Sequence, residues 1–235
     1  MISNRGFNFF AALCLTLLSS GYSTAAPLNL ANQPLFLGSS APPLLMLTVG
    51  KDHKLYYEAY NDASDLNNDG VLDVGYTPDI DYYGYFNSYA CYDYNSSDGR
   101  FVPQSVKSEA DKSAGIKTCN AGSGSSSEYS GDWSGDFLNY VTMARIDALR
   151  KVFYGGHRVV DTADLTVIER THIPQDAHTW AKEYRGYDKE GYYIDEITPL
   201  DQPPMGRGHL FGNVSYSVGA DPLLRCCRHC ARHAR

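Results

Sequence analysis

Apolar and polar positions divide this chain into stretches of different character. Phe7 to Leu18 is a mostly apolar run carrying Phe9, Phe10, Leu13, Leu15, Leu17 and Leu18, with Arg5 ahead of it. Ser19-Ser20-Gly21 and then Ser23-Thr24-Ala25-Ala26 follow, before Pro27. A positive flank, a short apolar run and a small-residue site in that order predict a secretory signal peptide, cut after Ala25 or Ala26. The run falls short of the ~20 residues a bilayer span needs. Pro43–Gly50 (PLLMLTVG) reads as a short buried strand stopped by glycine. From Ser134 to Tyr154, Phe137, Val141, Ala144, Ala148 and Val152 recur at helical spacing, widened by Leu138, Leu149 and Phe153. That spacing predicts one core-packing helix. Ser134 is placed to cap it, Asp136 to suit its positive end, and Gly155-Gly156 to end it. Asp147 and Lys151 fall at i,i+4 as an ion pair. Leu165–Glu169 reads as a second strand. Beyond Pro174, prolines and glycines cut the chain into short pieces.

The polar stretches between these elements shape the domain reading. Asp62 to Asp81 is acidic and turn-rich, and Tyr76 to Tyr94 is crowded with aromatic residues. Residues 120–132 form a Gly/Ser-rich flexible loop. The organisation expected is a signal peptide at 1–26, one domain at 27–225 and a separate tail at 226–235. The fold class expected is α/β or α+β with long irregular Tyr/Gly/Ser-rich insertions. A net charge of −7 offers no basic surface for nucleic acid and does not favour an anionic membrane. No second apolar stretch is long enough for a transmembrane helix. Of six cysteines, Cys14 leaves with the signal. Cys91 and Cys119 flank a polar loop and make the natural disulfide pair in an oxidising compartment, against the alternative of two free thiols.

The sharpest chemical motif is Asp65-Leu66-Asn67-Asn68-Asp69-Gly70-Val71-Leu72-Asp73. It matches the first nine positions of a calcium loop. Alternate oxygens of Asp65, Asn67 and Asp69 converge, Gly70 permits the turn, Val71 offers its carbonyl, and Asp73 binds directly or through water. The carboxylate usual at position twelve is replaced by Tyr76, so a further ligand is sought at Asp62, Asp79 or Asp81. His172, Asp176 and His178 could also be assembled into a metal site, although a plain histidine pair near Trp180 is the blander reading. Nucleophile-elbow, zincin, phosphate-loop and dinucleotide motifs are missing, which disfavours an enzyme. The tyrosine-rich stretch suits either glycan and surface binding or a half-buried face of a small sheet.

Several strings together resemble the N-terminal region of the PilC/PilY family of type IV pilus assembly and tip-adhesin proteins. They are PLFLGSSAPPLLML (34–47), KLYYEAYNDASDLNNDGVLDVGY (54–76), DYYGYFNSYACYDYN (81–95), WSGDFLNYVTMARIDALRKVFYGG (133–156) and IPQDAHTWAKEY (173–184). The resemblance implies an exported protein at the pilus tip, outer-membrane surface or exterior. It also implies type IV pilus subunits or minor pilins as partners, a host or abiotic surface ligand, and a longer molecule with a C-terminal propeller. Many members carry a von Willebrand A-like domain with a D-x-S-x-S metal loop. Here the first strand runs instead into Thr48-Val49-Gly50-Lys51-Asp52-His53-Lys54, so that metal site does not carry over and an A-like domain would be degenerate. In the tail LLRCCRHCARHAR (223–235), Cys226, Cys227, Cys230, His229 and His233 are candidate zinc ligands. The family continues with Val-Leu-Pro after Leu-Leu-Arg, and a shifted reading frame accounts for both the composition and the length. The tail is then expected to be disordered. The expected role is a non-catalytic pilus-biogenesis and adhesion factor, with a secreted calcium-stabilised hydrolase fragment as the alternative.

Overall fold

The apolar spacing from Phe137 to Val152 produces two helices rather than one. A computed structural model describes residues 52–119, 129–214 and 222–231, together with positions 46, 48 and 50. These lie almost entirely in one compact unit, Gly50–Arg235. The signal peptide, most of the predicted 43–50 strand and residues 120–128 of the predicted flexible loop lie outside the described residues.

Strands β1 (Ala90–Asn95) and β2 (Arg100–Val106) form an antiparallel hairpin, and β3 (Trp133–Ser134) pairs with the other edge of β1. Helix α1 (Glu109–Ser113) follows β2, capped by the Ser108 side chain on Asp111 N. Helices α2 (Gly135–Thr142) and α3 (Arg145–Tyr154) come next, then the two-stranded ribbon β4 (His157–Asp161) and β5 (Thr166–Glu169). A second three-stranded sheet, in the order β6-β7-β8, contains β6 (Trp180–Tyr184), β7 (Arg207–Asn213) and β8 (Leu224–Ala231). The one-turn helix α4 (Tyr187–Glu190) lies between β6 and β7. The class is mixed α/β with antiparallel pairing throughout the described strands. None of these pairings by itself builds the von Willebrand A-like arrangement that the resemblance implied.

The break between α2 and α3 has a tertiary cause. Met143 and Ala144 take extended backbone angles, and Ala144 bridges Glu58. Ala59 N donates to Met143 O at 2.9 Å, and Arg145 N donates to Tyr57 O at 3.1 Å. The 57–59 segment thus takes over backbone groups that a continuous helix would use internally. With neither Gly nor Pro at the junction, nothing local marks it. The break also rotates the second half, so Val152 and Phe153 end up exposed rather than in the core. The expected Asp147–Lys151 pair does not form: Asp147 is fully buried and faces Arg150 at 3.6 Å. Ser134 stands at the N-cap position but makes no side-chain cap bond. Gly155 ends α3 in the left-handed region as expected, at φ 83°.

The core is largely aromatic. Tyr76, Tyr82, Phe137, Tyr140, Tyr184, Tyr192 and Phe211 pack with Ile80, Val141, Ile194, Ile197 and Leu200. Tyr76 stacks on Tyr82 at 5.4 Å, and Phe137 meets Phe211 edge-on at 5.1 Å. Buried phenols need partners. Tyr184 Oη donates to Tyr192 O, and Tyr82 Oη accepts from Thr77 N. The half-buried-sheet reading of the tyrosines holds only from Ala90 onward, because Tyr76–Tyr89 contains no strand. The tail departs from expectation too. Leu224–Ala231 pairs with β7, and the preceding segment is well packed, with Leu200, His209, Phe211 and Asn213 buried. Cys226 is a free thiol, but Cys227 is disulfide-bonded. Strand pairing uses backbone groups that every non-proline residue carries, so an unusual side-chain composition does not prevent it.

Cys91 and Cys119 are joined, with Cα atoms 5.5 Å apart across a separation of 28 residues. Cys119 N donates to Glu196 O at 2.7 Å, which ties the closed loop to the 194–197 turn. Replacing both cysteines by serine should lower stability by about 3 kcal/mol, since the constraint acts on the unfolded chain. Urea unfolding of the oxidised protein and of the double variant would measure this. Equal stabilities would show the cross-link to be dispensable.

Candidate functional site

The Asp65–Asp73 loop is wound by its own side chains. Asp65 accepts from Asp69 N at 3.1 Å and from Gly70 N at 2.9 Å. Asn67 Oδ1 accepts from Asp69 N, Asp69 Oδ1 from Val71 N at 2.8 Å, and Asp73 Oδ2 from Leu66 N at 2.7 Å. Asn68 at φ 62° and Gly70 at φ 88° supply the left-handed turns. The side chains expected to ligate calcium, Asp65, Asn67, Asp69 and Asp73, therefore lie on one tight turn, each already engaged with backbone amides. Among the described residues, no three His, Cys, Asp or Glu side chains are grouped to hold a metal ion. The extra ligands sought at Asp62 and Asp81 are committed elsewhere. Asp62 accepts from Gly75 N at 3.2 Å and faces Lys182 at 3.4 Å, and Asp81 pairs with Lys117 at 2.8 Å.

A second constellation surrounds the start of α2. Asp136 is fully buried. It accepts from Tyr82 N at 2.9 Å and Tyr76 Oη at 3.0 Å, and lies 3.5 Å from Lys117 Nζ. Lys117, also buried, donates to the carbonyls of Pro78 at 2.8 Å and Ile80 at 2.6 Å. Burial pushes the Asp136 carboxyl up to about 6, against the pull of Lys117 and the hydrogen bonds. One turn on, Asn139 Nδ2 donates to Tyr82 O and Phe86 O, while Oδ1 accepts from Phe86 N at 3.0 Å. Gly84 packs against that amide, and a Cβ there would fall 2.1 Å from Asn139 Oδ1. Asp136 and Asn139 together clamp the 81–89 loop, and Ser88 Oγ closes it on Tyr82 O at 3.1 Å.

Sequence reasoning treated Asp136 as a dipole partner and passed over Asn139 and Lys117. The available signal was two polar residues three apart within an otherwise apolar helical string. Such residues are buried against partners or not at all.

The histidines form a further small cluster. His178 Nδ1 meets Asp176 Oδ1 at 2.7 Å, and its ring stacks on Tyr57 at 5.3 Å and lies 5.7 Å from His53. His172 does not join these residues in a metal group among the described residues. The cluster instead pins the 53–57 turn against the 176–179 turn.

An antiparallel mixed α/β domain with a disulfide-closed loop and a clamped tyrosine-rich segment matches a known family. The family model described as "PilY1 homolog, small alpha/beta domain" covers residues 73–222, more than half of the chain, and the chain belongs to that family. A type IV pilus biogenesis factor PilY1 homolog of Xylella fastidiosa (strain Temecula1 / ATCC 700964) is 51% identical over 181 residues, 77% of this chain and 11% of that protein. A second protein of the same name and strain is 29% identical over 174 residues, 69% of this chain and 12% of its own length. The chain thus spans about one-tenth of the length of these relatives. No solved structure matches it. Among the described residues, no helix is long and apolar enough to cross a membrane.

The Asp136 shift makes a pH prediction. Its folded value near 6 exceeds the ordinary 3.8, so the native state holds the proton more tightly. The stability it contributes is fully present below about pH 4 and is lost as pH rises to about 6. Asp136→Asn keeps an acceptor for Tyr82 N and removes this titration. The stability difference between wild type and variant should therefore change across that window and stay flat above it. Urea unfolding from about pH 4 to about pH 7 tests this, and a difference constant across the whole range would refute the assignment.

Proposed function

We propose that this chain is a type IV pilus biogenesis factor that acts outside the cytoplasm, by assembly and surface binding rather than catalysis. The observation that carries the reading is the 51% identity to a protein of that name across three quarters of this chain. A disulfide between Cys91 and Cys119 suits an oxidising compartment. The Asp136–Lys117 pair, the one deeply buried carboxylate–ammonium contact among the described residues, is saturated by structural partners. That favours a scaffold over an active site. Pilus subunits or minor pilins are the proposed partners, and a host or abiotic surface the proposed target.

Calcium binding by the Asp65–Asp73 loop belongs to the same reading. The spacing of Asp65, Asn67, Asp69 and Asp73, with the Val71 carbonyl, is that of a calcium loop. Each carboxylate engaged with the backbone keeps a further lone pair for a cation. Bound calcium would add charge neutralisation at an exposed acidic turn, and an affinity on the order of 10⁻⁴ to 10⁻³ M fits extracellular modules of this kind.

Two measurements test these statements. In a strain lacking its own copy of the corresponding full-length factor, the factor with Asn139→Ala in this domain should fail to restore surface pili and twitching where the wild type succeeds. Full restoration by a variant shown to be unfolded in this domain would remove the domain from pilus biogenesis. Calorimetry of the exported chain should show calcium heat that Asp69→Ala abolishes. Absence of heat, or heat unchanged in the variant, would dismiss the loop as a calcium site.

A further inference from the structure

The Asp81–Tyr89 loop and Lys151 enclose an open concavity of about 450 Å³. Lys151 is its unusual member. Asp147, one turn before it, has turned inward to Tyr85 Oη at 3.1 Å and Thr171 N at 3.0 Å. Lys151 reaches instead for the Gly84 carbonyl and lies 4.1 Å over the Tyr83 ring. Among the described residues no carboxylate comes within ion-pair distance of it, in a chain whose net charge is −7. Burial lowers its pKa, the mark of an ammonium that is partly desolvated and not neutralised.

The rest of the lining is polar and aromatic and is held in place. Tyr83 is about half exposed, at 47%. Tyr89 Oη is tied to Asp81 at 2.9 Å, and Asn87 Oδ1 accepts from Tyr89 N at 3.0 Å, leaving the Asn87 Nδ2 as a donor. The Asp81 side chain is 62% exposed although anchored by Lys117. The loop backbone is fixed by Asn139 and closed by Ser88, so little ordering remains for a ligand to impose.

We propose that this concavity binds an acidic saccharide, a pyranose bearing one carboxylate, with that carboxylate on Lys151. The inference rests on the surface-binding part of the reading above. One ammonium and one exposed carboxylate in the same lining match a ligand with a single negative charge and several hydroxyls. The carboxylate neutralises Lys151, the hydroxyls donate to Asp81 and accept from Asn87, and a sugar face lies against the half-exposed Tyr83 ring. A neutral sugar leaves Lys151 uncompensated, and a phosphate polyanion meets the Asp81 charge in the same lining. A peptide C-terminus would satisfy Lys151 without using Asp81.

The test is calorimetry or saturation-transfer NMR on the exported full chain. The probes are an oligoglucuronate, its methyl ester, and a short peptide with a free C-terminal carboxylate. The acid should bind at least about tenfold more tightly than the ester, the ratio one charge-assisted contact supplies. Lys151→Met should erase that difference, Lys151→Arg should retain most of it, and Tyr83→Leu should weaken both sugars. The acid–ester comparison needs no variant, so it decides the matter even if Lys151→Met fails to fold. No binding of the acid, equal binding of acid and ester, or preference for the peptide would overturn the proposal. Loss of pilus function in the complementation assay leaves the in vitro acid–ester ratio untouched, so the two readings fail separately.

Discussion

All eight residues of the helix Gly135–Thr142 are buried, and three of them are polar. A helix this short is marginal on its own, so it persists only as the centre of a packed structure. A buried carboxylate costs several kcal/mol unless its lone pairs are met. Asp136 therefore recruits Tyr76, Tyr82 and Lys117, which come from the aromatic loop and from the disulfide-closed loop. Asn139 imposes the same demand on residues 82 and 86, while Thr142 satisfies itself on Leu138 O at 2.7 Å. Much of the tertiary order in residues 76–119 follows from the need to satisfy one helix.

The same demand shapes the surface. Residues 81–89 lack strand or helix, and a loop of that length with exposed tyrosines would ordinarily pay a large ordering cost on binding. Here the cost is met during folding, because the carbonyls and amides that face inward are fixed by Asn139. The acidic 65–73 loop is held differently: short-range bonds within it close the turn, and Leu66 packs against the aromatic core.

The Met143–Ala144 junction shows how far local sequence reaches. The helical spacing on both sides was legible, and so were the glycine stop at Gly155, the Thr166–Glu169 strand and the turn chemistry of Asp65–Asp73. Each depends on contacts within a few residues. The break itself was not legible, because it is made by backbone groups of Tyr57 and Ala59, more than eighty positions earlier in the chain.

Sequence alone determined the family resemblance, the cysteine pair considered, the acidic loop and the helical stretch that ends at Gly155. It did so because motif spacing, periodicity and capping are local in the chain. Only the tertiary structure decided that Asp136 and Asn139 are clamps, that Asp147 abandons Lys151, and that β8 pairs with β7. Those outcomes turn on the desolvation of polar groups and on which distant segment arrives to satisfy them. The energy of a buried charge is set by its neighbours in space, and the neighbours of Asp136 in sequence do not reveal them.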